Sequence, residues 1–264
     1  ELGLNRPIYV QYVDWVTDLL QFELGNSMRS SQSVNEMIML AGPRSLSIAL
    51  VAITVGLAIA LPAGVISAVY KDKPIDYGAT IVAFFGLSLP AFFVGILLAL
   101  MFGVWLDWLP VFGYTSIEVG VIPWLKGILL PGISVGIAYT AIIMRMMRSS
   151  LLEELGSPYI KTARAKGVRP KVRLYKHAIP EALIPVVTVA GIQLALIVTG
   201  SVTVELVFGI QGIGRLFVET IISQDYTVTQ VVIVLIAAFL IGVNIIMDLV
   251  YVLINPRIRY GGEN

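Results

Sequence analysis

Five stretches of the chain contain no Asp, Glu, Lys or Arg: residues 45–69, 78–106, 127–144, 182–204 and 226–247. Each has at least 18 residues, and a helix needs about 20 to cross the hydrocarbon of a bilayer. In lipid the backbone must satisfy its own hydrogen bonds, so these stretches read as five membrane-spanning helices. A barrel is excluded, because barrel strands are about 10 residues long and alternate in polarity. The composition agrees. Charged residues make up 13 % of the chain, against about 25 % in soluble domains. The expected fold is all-α, a polytopic helix bundle.

The net charge of +1 hides an asymmetry. Lys71 and Lys73 follow the first stretch, Arg257 and Arg259 follow the fifth, and nine basic residues from Arg145 to Lys176 follow the third. Together these are 13 of the 18 basic residues, and an alternating path puts them all on one side. Basic loops stay cytoplasmic, so the C-terminus is expected inside and the N-terminus outside. The basic residues need no nucleic acid to explain them. Cysteine is absent, which removes disulfides and thiol nucleophiles. The chain opens on Glu1 without a signal-like apolar run, which reads as an N-terminal portion that is missing.

The expected organisation is an outer segment over 1–44, a transmembrane domain over 45–254 that includes a basic loop at 151–180, and a cytoplasmic tail over 255–264. Residues 5–24 read as an amphipathic helix capped by Asn5, with Pro7 in its first turn. Gln11, Asp14, Asp18 and Gln21 share one face, while Tyr12, Trp15, Val16, Leu19 and Leu20 fill much of the rest. Such a helix lies at the outer membrane surface or packs against the spans. Pro62 and Pro90 should kink or loosen the first two spans.

The basic loop is the most sharply punctuated segment. Ser157-Pro158 is a helix start, with Ser as N-cap acceptor and Pro at the first helical position. Gly167 fits the left-handed position that ends a helix. Tyr159, Ile160 and Ala163 form a small apolar face among Lys161, Arg164 and Lys166. Pro170 can start a second helix through Lys176, which Pro180 should end. Two short helices at an angle make a knob that can enter a cleft on a partner.

Lys161-Thr162-Ala163-Arg164-Ala165-Lys166-Gly167, nine residues, then His177-Ala178-Ile179-Pro180 resembles the EAA loop of bacterial and archaeal ABC importer permeases. Lys161-Thr162-Ala163 stands where the loop usually opens Glu-Ala-Ala, a form similar to the oligopeptide, dipeptide and nickel branch. The run Ala182-Leu-Ile-Pro185, the segment Val204 to Phe208, Gly212-Ile-Gly-Arg215 and the closing Asn255-Pro-Arg-Ile-Arg259 extend the resemblance over essentially the whole chain. Ile210-Gln211 departs from the aromatic and Pro often found there.

The resemblance implies a type I importer permease with six spans, the first ahead of Glu1, in the plasma membrane of a bacterium or archaeon. It implies a homologous second permease, two ABC ATPase subunits and an external substrate-binding protein as partners. Oligopeptides or dipeptides would be the cargo; nickel or an oligosaccharide is the alternative within the same family. The residues implied in ATPase coupling are Tyr159, Thr162, Ala163, Arg164, Ala165, Lys166, Gly167, His177 and Pro180.

Other patterns weigh less. Gly132-Ile-Ser134-Val-Gly136 matches a nucleophile elbow, but that motif needs a strand-to-helix turn and Ser134 lies within a span. The only histidine, His177, is expected on the far side of the bilayer from it. Gly209, Gly212 and Gly214 resemble part of a nucleotide loop, yet no Walker Gly-Lys-Ser/Thr run exists. The chain itself is therefore expected to be non-catalytic and to hold no cofactor or metal, with ATP and Mg in the ATPase subunits. Polar residues in spans are costly and tend to face cavities. Gln193, Glu205, Asn244 and Asp248 are accordingly candidates for the translocation path. Asp248 also fits a structural partner near the inner interface, and Gln193 and Asn244 also fit interhelical glue. An ion-coupled secondary transporter would show repeated halves and midplane carboxylates; here no repeat stands out and the acids lie mostly at span ends.

Overall fold

The computed structural model describes residues 6–254, leaving out the side chains of Ala195, Val198–Gly200, Asp248 and 251–254. The expected cap Asn5 and the tail 255–264 lie outside the described residues. A helix α1 (Ile8–Leu20) buries none of its residues, and Pro7 sits at its N-cap rather than within its first turn, so the helix starts two residues later than a cap at Asn5 would place it. A long helix α2 (Val34–Val69) follows and turns at residues 70–73 into α3 (Pro74–Ser88). Next come α4 (Ala91–Leu98), continued by a π-helical turn Ala99–Trp105, and α5 (Val121–Gly156). The remainder is α6 (Pro158–Ala165), α7 (Pro170–Val172), α8 (Ile179–Gly200), α9 (Val202–Val207), α10 (Ile213–Ile222) and α11 (Tyr226–Ile254).

Four of these segments are single helices long and apolar enough to cross a membrane; α3 and α4 form a fifth crossing only as a pair bent by 103°. Three prolines near the membrane thus behave differently. Pro43 and Pro62 are absorbed inside α2, which remains one helix. At Pro90 the chain breaks: Leu89 is extended (φ −92°, ψ 130°) and helix resumes at Ala91. A residue before proline is pushed out of the α region, and only neighbouring packing can hold it there. α2 has that packing, since it lies along α5 for much of its length.

The α2–α5 contact is built on glycine. A Cβ on Gly64 would meet Met147 Cβ at 2.7 Å and the Met144 carbonyl oxygen at 2.8 Å, and one on Gly136 would meet the Ala52 carbonyl oxygen at 2.8 Å. Absence of side chains lets the two backbones touch, the usual device where lipid gives no hydrophobic drive for helix pairing. Gly64→Val is expected to cost about 1–3 kcal/mol through overpacking, read as a lowered thermal unfolding midpoint in detergent. An unchanged midpoint would show that the contact gives way freely.

Three buried clusters run along the bundle. At the end nearest α6, Ala60 of α2, Met144, Met147 and Leu151 of α5, Ile160 of α6 and Ala182 of α8 pack together. Centrally, Ile48, Leu130, Val135, Ile197, Phe208 and Ile210 do so. At the opposite end Val34 and Ala41 of α2 meet Leu216 of α10 and Val228, Val231 and Val232 of α11. Outward, α3 and α11 expose Val82, Phe85, Ile241 and Leu249, an apolar surface suited to lipid or to a second membrane subunit.

Candidate functional site at the 157–180 knob

α6 begins with Pro158 at its first position and Ser157 as N-cap residue, but the Ser157 side chain does not cap it. Its hydroxyl donates instead to the Glu154 carbonyl oxygen (2.6 Å), one of the orphan acceptors at the end of α5. At the other end Gly167 has φ +76°. The Gly167 amide donates to the Arg164 carbonyl (3.0 Å) and the Val168 amide to that of Ala163 (3.1 Å), the paired bonds of a Schellman motif.

The second half of the knob differs from expectation. α7 does not stop at Pro180 but passes through a π turn, Arg173–Ala178, directly into α8. The wider π turn shifts carbonyls away from the pyrrolidine ring that would clash in a regular helix. Knob and span are one continuous rod.

Ile160, 5 % exposed, anchors α6 in the cluster with Met147, Leu151, Ala178 and Ala182. Ser150 Oγ adds a bond to the Ala182 carbonyl (3.0 Å), joining α5 to α8 beside it. Tyr159 turns outward from the predicted apolar face; its hydroxyl donates to Glu154 Oε2 (2.7 Å), with the His177 carbonyl oxygen at 3.2 Å as second acceptor. Burial of the hydroxyl and the neighbouring Glu154 push this phenol up to about 12, so it remains a donor at neutral pH. Thr162 Oγ1 donates to the Pro158 carbonyl (3.0 Å). Lys161, Thr162, Arg164, Ala165, Lys166, Gly167 and Pro180 are exposed, while Ala163 and His177 are half-buried. One basic, convex face therefore stands on an apolar root.

The other candidates scatter. Gln193 is 7 % exposed and its Oε1 has no hydrogen-bond partner. Asn244 is exposed on α11, and the Asp248 side chain lies outside those described. Glu205 is fully buried. Its Oε1 accepts from Ser45 (2.7 Å) and Ser201 (2.9 Å), and its Oε2 from the Arg215 amide (2.8 Å). Those bonds tie it to α2, α9 and α10. Ser134 is buried inside α5, donating to the Leu130 carbonyl (2.7 Å), and its flanking glycines serve contact with α2.

Residues 60–260 match the family described as binding-protein-dependent transport system inner membrane component. The chain belongs to this family. The oligopeptide transport system permease protein AppB of Bacillus subtilis is 37 % identical over 261 residues, covering 98 % of this chain and 83 % of that protein. The di/tripeptide transport system permease protein DppB of Pseudomonas aeruginosa is 36 % identical over 279 residues, with 98 % and 83 % covered. Among solved structures, the MetNI methionine ABC transporter in an inward-facing conformation aligns with TM-score 0.67 at 20 % identity, over 83 % of this chain and 96 % of that one. An amino acid ABC transporter aligns with TM-score 0.60 at 12 % identity, over 90 % and 97 %. The bundle is thus of the type I importer kind, and the chain is a multi-pass permease component of an ABC importer.

In this permease one buried ion pair escaped the sequence reading. Arg148, one of the nine basic residues after the third uncharged stretch, reaches back to Asp76, which is 2 % exposed. Arg148 Nε donates to Asp76 Oδ1 and its NH2 to Oδ2, both at 2.7 Å. Ser67 Oγ also donates to Asp76, as does the Asp72 amide (3.0 Å). A bidentate guanidinium–carboxylate pair is the strong, directional kind, and here it ties α2, α3 and α5 together beside the knob. Nothing local marks it, since the partners are 72 residues apart.

Proposed function

We propose that this permease forms half of the path of an ATP-driven importer of oligopeptides or dipeptides, which an external binding protein delivers. Its knob is the docking point for an ATPase subunit. The observation that carries this reading is the pairing of a basic exposed face with an apolar root: Ile160 belongs to a buried cluster that also takes in side chains of α2, α5 and α8. A push on the knob therefore bears directly on α5 and α8, and through the shared cluster on α2. The peptide-transport relatives at 36–37 % identity support the cargo.

In this reading a second, homologous permease completes the path and two ATPases each receive one knob. The ATPases supply ATP and Mg; this chain holds no cofactor. The knob and the C-terminus face the cytoplasm of a bacterial or archaeal cell. ATP binding draws the ATPases together, and the knob biases the spans between inward- and outward-facing arrangements, a shift of population. Gln193, with its unpaired buried oxygen, is the path residue with a free acceptor to offer a peptide amide.

Coexpression with the ATPase subunits tests the docking. The permease is expected to co-purify with them, and Arg164→Glu combined with Lys166→Glu to lose the ATPases while keeping the helical spectrum of the wild type. Retention of the ATPases by the double variant would refute the knob as their docking point.

A further inference from the structure

Besides Asp76, two carboxylates among the described residues are almost completely buried, Glu205 at 0 % and Asp225 at 2 % exposure. They bracket α10, and each is met by a serine from the same outlying element, α2 or its lead-in loop. At one end Ser45 of α2 donates to Glu205 (2.7 Å) and accepts from the Ile213 amide (2.8 Å), while Glu205 accepts from the Arg215 amide (2.8 Å). Ile213 and Arg215 supply free amides of the first turn of α10, so Glu205 and Ser45 cap that helix from outside it. Gly212 makes room: a Cβ there would stand 2.4 Å from both Glu205 Oε1 and Ser45 Oγ.

At the other end Ser27 donates to Asp225 Oδ2 (2.5 Å), and the Met28 amide donates to its Oδ1 (3.3 Å). Arg29 Nε reaches the Ser223 carbonyl oxygen (2.7 Å). Between the two ends, Val34 and Ala41 of α2 pack on Leu216 of α10 and Val228 of α11. Buried carboxylates held this way by hydroxyl and amide donors favour one geometry, because the alternatives leave buried polar atoms without hydrogen bonds.

We infer that Glu205 and Asp225 are positioning residues for transport: two carboxylate–serine staples that weld α9, α10 and the start of α11 to the first turns of α2, so that the end of the bundle opposite the knob moves as one body with α2. The α2 helix is itself in backbone contact with α5 at Gly64, beside the knob. A displacement at the knob end therefore arrives at the opposite end without slippage between α2 and α10.

Spin labels test this, since the chain has no cysteine of its own. Labels are placed on Leu46 of α2 (50 % exposed) and Ile222 of α10 (76 % exposed), in the permease assembled with its ATPases. The distance is expected to be single and unchanged between the nucleotide-free and the ATP-plus-vanadate-trapped complex. A change above about 2 Å, the size of an ordinary helix shift, overturns the inference.

Glu205→Gln and Asp225→Asn keep the side-chain shape. Their combination is expected to broaden that distance distribution and to cut uptake into vesicles about tenfold, with the complex still assembled. A narrow distribution with wild-type uptake in the double variant also overturns it. The uptake readout rests on the importer reading, whereas the distances do not. Failure of the unsubstituted complex to take up peptide would count against that reading alone.

Discussion

Gly167→Pro is expected to lower ATP-driven uptake by at least about tenfold while the permease folds and its ATPases continue to turn over. Gly167 holds φ +76°, and proline is confined near about −65°. Its ring nitrogen also has no proton to give the Arg164 carbonyl, so the two bonds that close α6 are lost together. The damage stays local, because Gly167 is exposed and, its chain neighbours aside, no atom lies within 4 Å of the place a Cβ would take. Gly167→Ala is the control. It fits the space, keeps the amide and bears only the left-handed penalty of about 1–2 kcal/mol, so uptake should fall far less. Uptake in reconstituted vesicles and ATPase rate are the paired measurements, and wild-type uptake by the proline variant would show that the shape of the knob does not matter.

The second large effect is on stability. Removing one partner of a buried ion pair leaves the other charge uncompensated and costs about 3–5 kcal/mol. Asp76→Ala should therefore strip the Arg148 guanidinium and the Ser67 hydroxyl of their shared acceptor, lowering the unfolding midpoint sharply and reducing the yield of folded permease. Arg148→Ala should do nearly the same. The pair Asp76→Leu with Arg148→Met should recover much of the loss, because well-packed apolar residues can replace a buried pair at little cost. The informative quantity is the coupling between the two positions. Simple additivity of the two single losses would mean that the pair contributes nothing as a pair.

How legible each element was depends on the distance over which its cause acts. The spans are written in the sequence because the absence of charge over about 20 residues is a property of each segment alone. The turn at Gly167 was legible for the same reason, as a backbone preference of one residue. Ser157 was only half legible: its place at the helix start is local, yet its hydroxyl went to Glu154, the nearer orphan carbonyl. The fates of Pro62 and Pro90 could not be told apart from sequence, since the difference lies in whether a neighbouring helix holds the backbone. Glu205 stands out in the sequence as an acid at the end of an uncharged stretch, but the partner that holds it, Ser45, is 160 positions away. Asp76 gave no signal beyond being an acid in the first turn of a helix.

The uninterrupted rod from Pro170 into α8 carries a consequence for how such proteins diversify. A π turn amounts to about one residue more than regular winding, and one residue of α-helix is about 100° of rotation. The compass bearing of Arg169 and α7 relative to the membrane face of α8 is therefore set by a count of residues in the turn Arg173–Ala178, independent of which side chains stand on either half. Gain or loss of one residue there would re-aim α7 on its partner while leaving the lipid-facing pattern untouched, a dial that insertion and deletion can turn when substitution cannot.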